Sequence, residues 1–475
     1  MMTNHSNVIS TMLVNTITAT ATVTWNEPKN SSAALCITLS HIGKRFHPDF
    51  THQSFEDERI PGHLPFGDLL ETVQDACPSQ SALATHELKL LVTLAPSCET
   101  SNVSIERRRR KRVGTSRNDN ENDNYKESRE NQKRIKLQSE STVIVTPSVD
   151  AEKDNEDMSQ SQQHCLSPED ILRSLQKALP PIVERDCAND YLSEPIGTIL
   201  QTWTTYEHRS FIITIADGSE AASYHSKLQS IALWFIETAD NVDVSSDEDG
   251  GYWKVMYVFE SIENKYALAG YMTLFHFYSP FKKPKSGIVV RICQALLLPP
   301  YQRMGLGKRM FFAVHDLVKA SASTENEIVE LNVEDPAPGF TALRNRVDYE
   351  LLVKSIETGK EPWIPEKYWK NITFHDSNFF QPLVESDAIS AAAIGRVTPK
   401  QVHIALELYR LNAIRKKTDE TTMKHFRLSV KKRLLKTHQE EVGACSTKEE
   451  RQTLLAALFD DLLQVYQQIL TTALR

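Results

Sequence analysis

The 475-residue sequence has no run of about 18 apolar residues, the length that a transmembrane helix needs. Its seven cysteines are scattered and none are spaced C-x-x-C. We therefore expect a reducing compartment, with no disulfide framework and no metal site. The first residues lack a basic start and are interrupted by polar residues, which argues against a secretory signal. These absences predict a soluble globular chain without a membrane-bound part.

The chain also lacks a positive net charge, because its formal charge at pH 7 is −8. Basic residues are concentrated in residues 106–165 and 376–475, so the remaining body is more acidic than the whole. An acidic body attracts cationic partners and disfavours direct binding to nucleic acid. The alternative is that this charge only provides solubility.

Composition divides the chain into five predicted regions. Residues 1–30 are rich in Thr, Asn and Ser, and residues 106–165 contain one aromatic, so both are predicted to be disordered. In the second, the clusters RRRRKR and KRIK resemble a bipartite nuclear-import signal, although a solvated charge run is an alternative. The other regions are an N-terminal α/β domain (31–105 and 166–200), a central domain (201–375) and a helical C-terminal domain (376–475).

The central region alternates strand-like runs with one loop and one helix. WKVMYVFE, YALAGYMTLFHFY and IVVRICQALLL predict three strands, the last of which ends at Pro299-Pro300. KRMFFAVHDLVKA then predicts a helix, and IVELNVEDP predicts a strand that Pro336 ends. This order predicts an α+β (α/β) fold around a central mixed sheet.

The loop before the predicted helix has the pattern Gln302-x-x-Gly305-x-Gly307. A dinucleotide-binding fingerprint would need glycine instead of Met310, and a P-loop would need glycine instead of Gln302. Glycines here allow backbone N–H groups to approach an anion, and the positive end of the following helix suits a pyrophosphate. A glycine-bearing turn without a ligand is the alternative.

The pattern Q/R-x-x-G-x-G/A after an apolar strand resembles the acetyl-coenzyme A motif of the GNAT acyltransferases. Four stretches resemble one GNAT family, the catalytic subunits of type B histone acetyltransferases: LPPYQRMGLG, NVEDPAPGFTALR, LWFIETA and FHPDFTHQSF. The resemblance covers residues 33–105 and 166–375 and is weaker in the helical tail. It implies the GNAT acyl-CoA N-acyltransferase fold, with residues 201–375 as the acetyltransferase domain.

The resemblance also implies a function. It predicts a histone lysine acetyltransferase that transfers acetyl from acetyl-CoA, without a metal, to lysines in the N-terminal tail of newly synthesised histone H4. The implied partners are histone H4 (with H3) and a WD40-propeller histone chaperone, and the implied location is the nucleus and cytoplasm. Two alternatives remain: a GNAT N-acetyltransferase for a non-histone amine, and a non-catalytic histone-binding protein.

By resemblance, acetyl-CoA contacts the end of the strand before the loop and then the loop itself. The implied cofactor-binding residues are Ala295, Leu296, Leu297, Gln302, Arg303, Met304, Gly305, Leu306, Gly307 and Lys308. Gly339 stands where the family has a polar residue associated with coenzyme A contact. The implied substrate-binding residues are Asp57, Glu58, Trp253, Phe275, His276 and Phe277.

Acetyl transfer to lysine requires a proton acceptor, because a lysine ammonium must lose a proton before it can attack. Alternation in IVELNVEDP predicts Glu330, Asn332 and Glu334 on one face of the strand, with Glu334 at its rim. The resemblance implies Glu334 as general base, with Glu237 and Asp335 as assisting carboxylates. A plain turn at Glu334-Asp335, and a capping or salt-bridging role for Glu237, are the alternatives.

Cys293 in IVVRICQ suggests a different chemistry, a covalent acyl-cysteine. An unpaired cysteine in a strand more often packs in the core, and no neighbouring feature of the sequence indicates that this thiol is activated. We therefore predict direct transfer.

Overall fold

The computed structural model describes residues 34–46, 86–109, 179–236, 239, 241–247, 250–322, 324–370, 380–415 and 420–472. The predicted disordered N-terminus, most of the predicted insertion, and the candidate site residues Asp57, Glu58 and Glu237 lie outside these ranges.

The described residues contain ten strands and eight α-helices. The strands are β1 (Ala34–His41), β2 (Lys44–Phe46), β3 (His86–Leu94), β4 (Ser101–Arg109), β5 (Thr198–Thr204), β6 (Ser210–Asp217), β7 (Gly251–Ile262), β8 (Lys265–Ser279), β9 (Gly287–Leu297) and β10 (Ile328–Val333). The α-helices are α1 (Gly218–Leu228), α2 (Leu306–Ala320), α3 (Pro338–Thr358), α4 (Glu385–Gly395), α5 (Pro399–Ile414), α6 (Glu420–Thr437), α7 (Gln439–Ala444) and α8 (Lys448–Thr472).

The chain divides into two compact units. One comprises the chain up to Pro195 with Ser223–Val242 and Ser261–Leu268, and the other comprises Ile196–Ala222, Asp243–Glu260 and the chain from Ala269 onward. The first unit contains a mixed four-stranded sheet in the order β2-β1-β3-β4, in which β1 and β3 are parallel. Its strands β1 and β3 contain the apolar runs ALCITL and LKLLVTL.

Strand β4 corrects one boundary. Residues 106–109 were predicted to belong to the disordered insertion, but β4 runs to Arg109 and pairs with β3 along its whole length. Backbone hydrogen bonds to the neighbouring strand do not depend on side-chain polarity, so a basic run can continue a strand. Three arginines of the RRRRKR cluster therefore lie in β4, and the rest of the cluster lies outside the described residues.

The larger sheet has the order β10-β9-β8-β7-β6-β5. Its β8–β9 and β5–β6 pairs are antiparallel and its β9–β10 pair is parallel, so the sheet is mixed. The turn between β7 and β8 is formed by Glu263 and Asn264, which both have positive φ, as a tight hairpin requires. The predicted α+β fold class, with its order of strand, glycine loop, helix and strand, is confirmed.

Arg291 in β9 is paired with Phe275 in β8, and both side chains are half-buried between chain neighbours that are buried. We call the side of the larger sheet that carries Arg291 and Phe275 the half-buried face. The β8–β9 register shifts beyond this pair, between Thr273 and Leu274, so alternation does not assign residues 295 and 297 to this face.

Helix α2 follows the glycine loop and packs through its apolar stripe. Leu306, Met310 and Val314 are buried, whereas Leu317 is only half-buried. The buried His315 in this helix lies 3.3 Å from Asp348 of α3, so the two helices also meet through polar groups.

The tail is helical, as predicted, from Glu385 to Thr472 apart from its short connections. Helices α5, α6 and α8 share an apolar core that surrounds one buried ion pair, between Glu407 and Arg433 at 2.7 Å. The Tyr466 hydroxyl donates to the same carboxylate at 2.8 Å. None of the helices in the described ranges has the length and apolar character that crossing a membrane requires.

Candidate active site

Strands β9 and β10 pair over only part of β9. Their register ends at Val333 opposite Ile292, where the Glu334 N–H donates to the Ile292 carbonyl at 2.9 Å. On its other edge β9 remains paired with β8 as far as Leu297 opposite Gly270. Within the described residues, residues 294–297 are thus paired with β8 and not with β10. They leave one backbone edge of β9 open, and they include Ala295–Leu297, the strand end at which the resemblance implies contact with acetyl-CoA.

The loop that follows β9 turns sharply into α2. Gly305 has φ +80 and is the N-cap of α2, a conformation that favours glycine. No side chain caps this helix and its first turn has no acidic residue, so its N-terminal N–H groups keep their capacity to bind an anion. The Gln302 amide donates to the Leu297 carbonyl at 2.9 Å and so ties the loop to the end of β9.

The glycine loop is anchored by an ion pair between Arg209, which directly precedes β6, and Glu260 of β7. Arg209 donates to both carboxylate oxygens of Glu260, at 2.6 and 2.8 Å. The hydroxyl of the buried Tyr301 donates to the same carboxylate at 3.0 Å, and Arg209 Nη1 donates to Met304 Sδ at 3.3 Å. These contacts fix both ends of the segment between Tyr301 and Met304.

The cations around the loop differ in how strongly they are paired. Lys308 Nζ lies 2.7 Å from Glu350 of α3, so its charge is partly offset. Arg309 is exposed and its guanidinium lies 4.8 Å from the centre of the Trp203 ring. Arg303 has φ +62, which places the residue after Gln302 in the left-handed region. The predicted cofactor-binding residues thus form one continuous stretch of strand end, loop and helix start.

The end of β10 presents the candidate base. The Glu334 side chain is 49% exposed, and Asp335 next to it is exposed with φ +28. Arg291 Nη1 of β9 lies 3.7 Å from Glu334 Oε1. Cys293 also lies beside Glu334. Burial, and secondarily the Glu334 carboxylate, raises the pKa of the Cys293 thiol to about 12. The carboxylate is therefore accessible, whereas the thiol is held protonated.

Glu330 keeps the predicted alternation but is not exposed as Glu334 is. The register pairs Glu330 with Val289 and Asn332 with Arg291, so these side chains lie on one face, and the bulge of β10 falls before them, between Ile328 and Glu330. Glu330 is buried on that face beside Lys282, with which it forms an ion pair. Asn332 and Glu334 do share one neighbour, Arg291, as residues on one face should.

Three of the predicted substrate-binding aromatics form a row on the half-buried face. The rings of Trp253 and Phe275 are 4.7 Å apart, and those of Phe275 and Phe277 are 5.8 Å apart. Arg291 continues the row, with its guanidinium 5.1 Å from the Phe277 ring. The register places Phe275 opposite Arg291, so the row leads across β7 and β8 to the neighbour of Glu334.

His276 does not join this row. Alternation along β8 turns it to the opposite face, where it is buried and stacks on Tyr252 with ring centres 4.7 Å apart. Burial lowers the pKa of His276 to about 4. The structure therefore separates this predicted substrate-binding residue from Phe275 and Phe277.

Prediction from the sequence missed three residues that organise the site: Arg209, Glu260 and Arg291. Arg291 and Glu260 each carried a signal, since each is a charge inside an apolar strand run, where an unpaired charge is costly. Among the described residues, no group of three His, Cys, Asp or Glu side chains is placed to hold a metal ion.

Comparison with known proteins finds similar individual proteins, although no family model matches the chain. It is 27% identical over 317 residues to a histone acetyltransferase type B catalytic subunit of Dictyostelium discoideum, covering 63% of this chain and 62% of the relative. A second such subunit from that organism is 31% identical over 218 residues, covering 45% and 40%. The subunit of Rattus norvegicus is 27% identical over 296 residues, covering 58% and 64%.

The chain therefore spans less than two thirds of the length of each of these relatives. The resemblance predicted from four motifs is confirmed by these matches: the chain is a relative of the catalytic subunits of type B histone acetyltransferases.

Proposed function

We propose that this protein is a histone lysine acetyltransferase that uses acetyl-CoA as co-substrate. Its proposed substrates are lysines in the N-terminal tail of newly synthesised histone H4, bound with H3, and its proposed mechanism is direct attack of the lysine amine. The proposal includes the WD40-propeller histone chaperone partner and the location in nucleus and cytoplasm that the resemblance implies.

One observation carries this proposal: an open strand edge, an uncapped helix N-terminus and an accessible carboxylate lie along one strand. Residues 293–297 of β9 extend beyond β10, and the next residues lead into the glycine loop. Glu334 follows the last β10 residue paired with β9. An acyl group held at the strand edge would thus lie a few residues along β9 from a proton acceptor.

The residues present fit acetyl-CoA. The N–H groups at the start of α2 and the loop around Gly305 would hold the pyrophosphate, because neither a side-chain cap nor an acidic residue occupies that helix end. The open edge of Ala295–Leu297 would hydrogen-bond the pantetheine arm. Gly307 allows the start of α2 to pack closely against α3, since a Cβ there would lie 3.1 Å from the Leu343 side chain.

Glu334 would act as general base. It accepts, directly or through a water, the proton that the lysine ammonium must lose to expose its lone pair. The amide C–N bond then forms as the thioester C–S bond breaks. The second proton of the amine passes to the departing sulfur, and Glu334 returns its own proton to solvent. Asp335 and Glu237 are proposed to assist, and the protonated Cys293 has no part in acyl transfer.

The half-buried face would receive the histone tail. Trp253, Phe275 and Phe277 supply aromatic surface for the apolar parts of the peptide. Glu334 and Asp335 at the end of β10 supply negative charge for a basic segment, and we propose the same role for Asp57 and Glu58.

Mass spectrometry tests the proposal. The full chain is incubated with acetyl-CoA and either an H4-tail peptide, a non-histone lysine peptide, a polyamine or a peptide with a free N-terminus. We expect acetylation of lysine in the H4 peptide at the highest kcat/KM. Faster transfer to another amine would indicate a GNAT enzyme for that amine. Calorimetric binding of acetyl-CoA without transfer to any amine would indicate a non-catalytic histone-binding protein.

A further inference from the structure

Arg291 is a charged residue in the middle of the apolar strand β9. Its side chain is 38% exposed and lies on the half-buried face, between the aromatic row and the end of β10. An arginine costs free energy at such a position unless its partners compensate for lost water contacts. The contacts of Arg291 therefore indicate what it does there.

Arg291 contacts the candidate base, a neighbouring amide and the aromatic row. Its Nη1 lies 3.7 Å from Glu334 Oε1, and its Nε–H donates to Asn332 Oδ1 at 3.4 Å. Its guanidinium lies 5.1 Å from the centre of the Phe277 ring. Register explains this arrangement, because Arg291 is opposite Phe275 on β8 and opposite Asn332 on β10.

Glu334 needs such a partner because of where it lies. It follows the last paired residue of β10, and half of its side chain is exposed, so few contacts restrict its rotamers. Cys293, which also lies beside Glu334, is a weak hydrogen-bond donor. Arg291 is held in turn by Asn332 and by its stacking on Phe277, which gives it a defined orientation.

We propose that Arg291 is the positioning residue of Glu334: it holds the carboxylate over the half-buried face and links it to the aromatic row. This inference rests on the proposed function. Arg291 would set the orientation in which Glu334 reacts, but it would not itself exchange a proton. Loss of Arg291 should leave acetyl-CoA binding intact and slow the step in which Glu334 takes part.

A set of variants of the full chain tests this role with H4-tail peptide and acetyl-CoA. Arg291→Met retains the apolar stem and should lower kcat about tenfold, with KM for acetyl-CoA unchanged, because a displaced base loses part of its contribution. Arg291→Lys keeps the charge without the planar fork and should fall between Met and wild type. Asn332→Ala should give a smaller loss of kcat. This variant takes the place of Arg291→Met in the test if Arg291→Met does not fold.

A double-mutant cycle separates positioning from general damage to the fold. In a Glu334→Gln background, Arg291→Met should cause less than about a twofold further loss, since the group it positions is already absent. The matched control is Lys254→Met on β7. Lys254 has a side-chain exposure similar to that of Arg291, and the change breaks its 2.8 Å ion pair with Asp217 of β6 and should leave kcat unchanged.

Each outcome has one meaning. The same tenfold loss in both backgrounds, a kcat for Arg291→Met equal to wild type, or a loss confined to KM for acetyl-CoA would each overturn the role of Arg291 while leaving the proposed function intact. A wild-type protein that transfers acetyl to no amine would overturn the proposed function itself, and the role of Arg291 with it.

Discussion

Two arginine–carboxylate pairs in the larger unit differ in almost every physical respect. Arg209 and Glu260 are joined by two short hydrogen bonds, and the Glu260 side chain is only 7% exposed. Arg291 and Glu334 are joined by one contact of 3.7 Å, and the Glu334 side chain is 49% exposed. The first pair lies behind the loop proposed to bind coenzyme A, and the second lies at the proposed site of proton transfer.

The difference follows from the work that each carboxylate would do. A buried, fully hydrogen-bonded carboxylate cannot exchange protons with a substrate, but it fixes the loop that Tyr301 and Met304 delimit. An accessible carboxylate with one loose partner adds little stability but remains available to an incoming amine. The comparison predicts that changes at the first pair affect folding and that changes at the second affect turnover.

The largest expected effect is on turnover at the exposed carboxylate. Glu334→Gln removes the proton acceptor while preserving shape, so kcat should fall by about 10² to 10⁴. Calorimetry should show an unchanged Kd for acetyl-CoA, and thermal unfolding should show an unchanged Tm. Asp335→Asn, the adjacent control, should lose less. A Glu334→Gln variant with wild-type kcat would remove Glu334 from the mechanism.

The buried pair should give the converse result. Glu260→Gln leaves the half-buried Arg209 without its counter-charge and weakens hydrogen bonds to a buried carboxylate, so the free energy of unfolding should fall by about 2 kcal/mol. Denaturant unfolding measures this loss. The control is Glu366→Gln, which breaks an exposed ion pair with Lys370 and should cost less than about 0.5 kcal/mol. Equal losses for the two variants would show that burial is not what distinguishes these pairs.

His276 extends the comparison to a residue that the resemblance assigned to the substrate. Burial lowers the pKa of His276 to about 4, against 6.5 in an unfolded chain. Between pH 4 and pH 6.5 the His276 ring is therefore protonated in the unfolded chain and neutral in the folded protein. The free energy of unfolding should therefore fall as pH drops from 6.5 to 4, by up to about 3 kcal/mol for this group. His276→Phe, which retains an aromatic ring against Tyr252, should reduce this loss.

Denaturant titrations of wild type and His276→Phe at several pH values test this, with pH 8 as the reference at which the group is neutral in both states. His225, whose pKa burial also lowers to about 4, keeps part of the acid sensitivity in the variant. KM for the peptide should not change, because His276 lies on the face opposite Phe275. A large rise in that KM would return His276 to the substrate site.

A smaller effect is expected at the glycine loop itself. Gly305 has φ +80, so Gly305→Ala introduces strain of about 1 kcal/mol although no atom obstructs the new methyl group. We expect weaker acetyl-CoA binding with kcat at saturation unchanged, measured by calorimetry and by kinetics. Gly359→Ala is the matched control, since that glycine also has a positive φ, +62, and open space, but it ends α3 outside the proposed site. Equal affinities for acetyl-CoA in both variants would show that binding does not depend on the conformation of the loop at Gly305.

Local patterns predicted what depends on local sequence. The apolar run of β9, the glycine loop and the helix after it follow from side-chain periodicity and the conformational freedom of Gly305. The pairs Arg209–Glu260 and Arg291–Glu334 join residues 51 and 43 positions apart, so they depend on strand order and register. Glu330 is likewise buried beside Lys282, which lies 48 positions away, so β10 alone does not predict its burial.

The smallest effect is expected at Cys293, whose burial is intermediate between that of Glu260 and that of Glu334. It is partly buried beside the exposed Glu334, and burial raises the pKa of its thiol to about 12, so the nucleophilic thiolate is scarce at neutral pH. If transfer is direct, Cys293→Ala should change kcat by less than about threefold, a loss that reflects packing rather than chemistry. Mass spectrometry of the wild-type protein mixed with acetyl-CoA alone should show no acetylated Cys293. A thioester there, together with a large loss of kcat in the variant, would replace direct attack by a covalent intermediate.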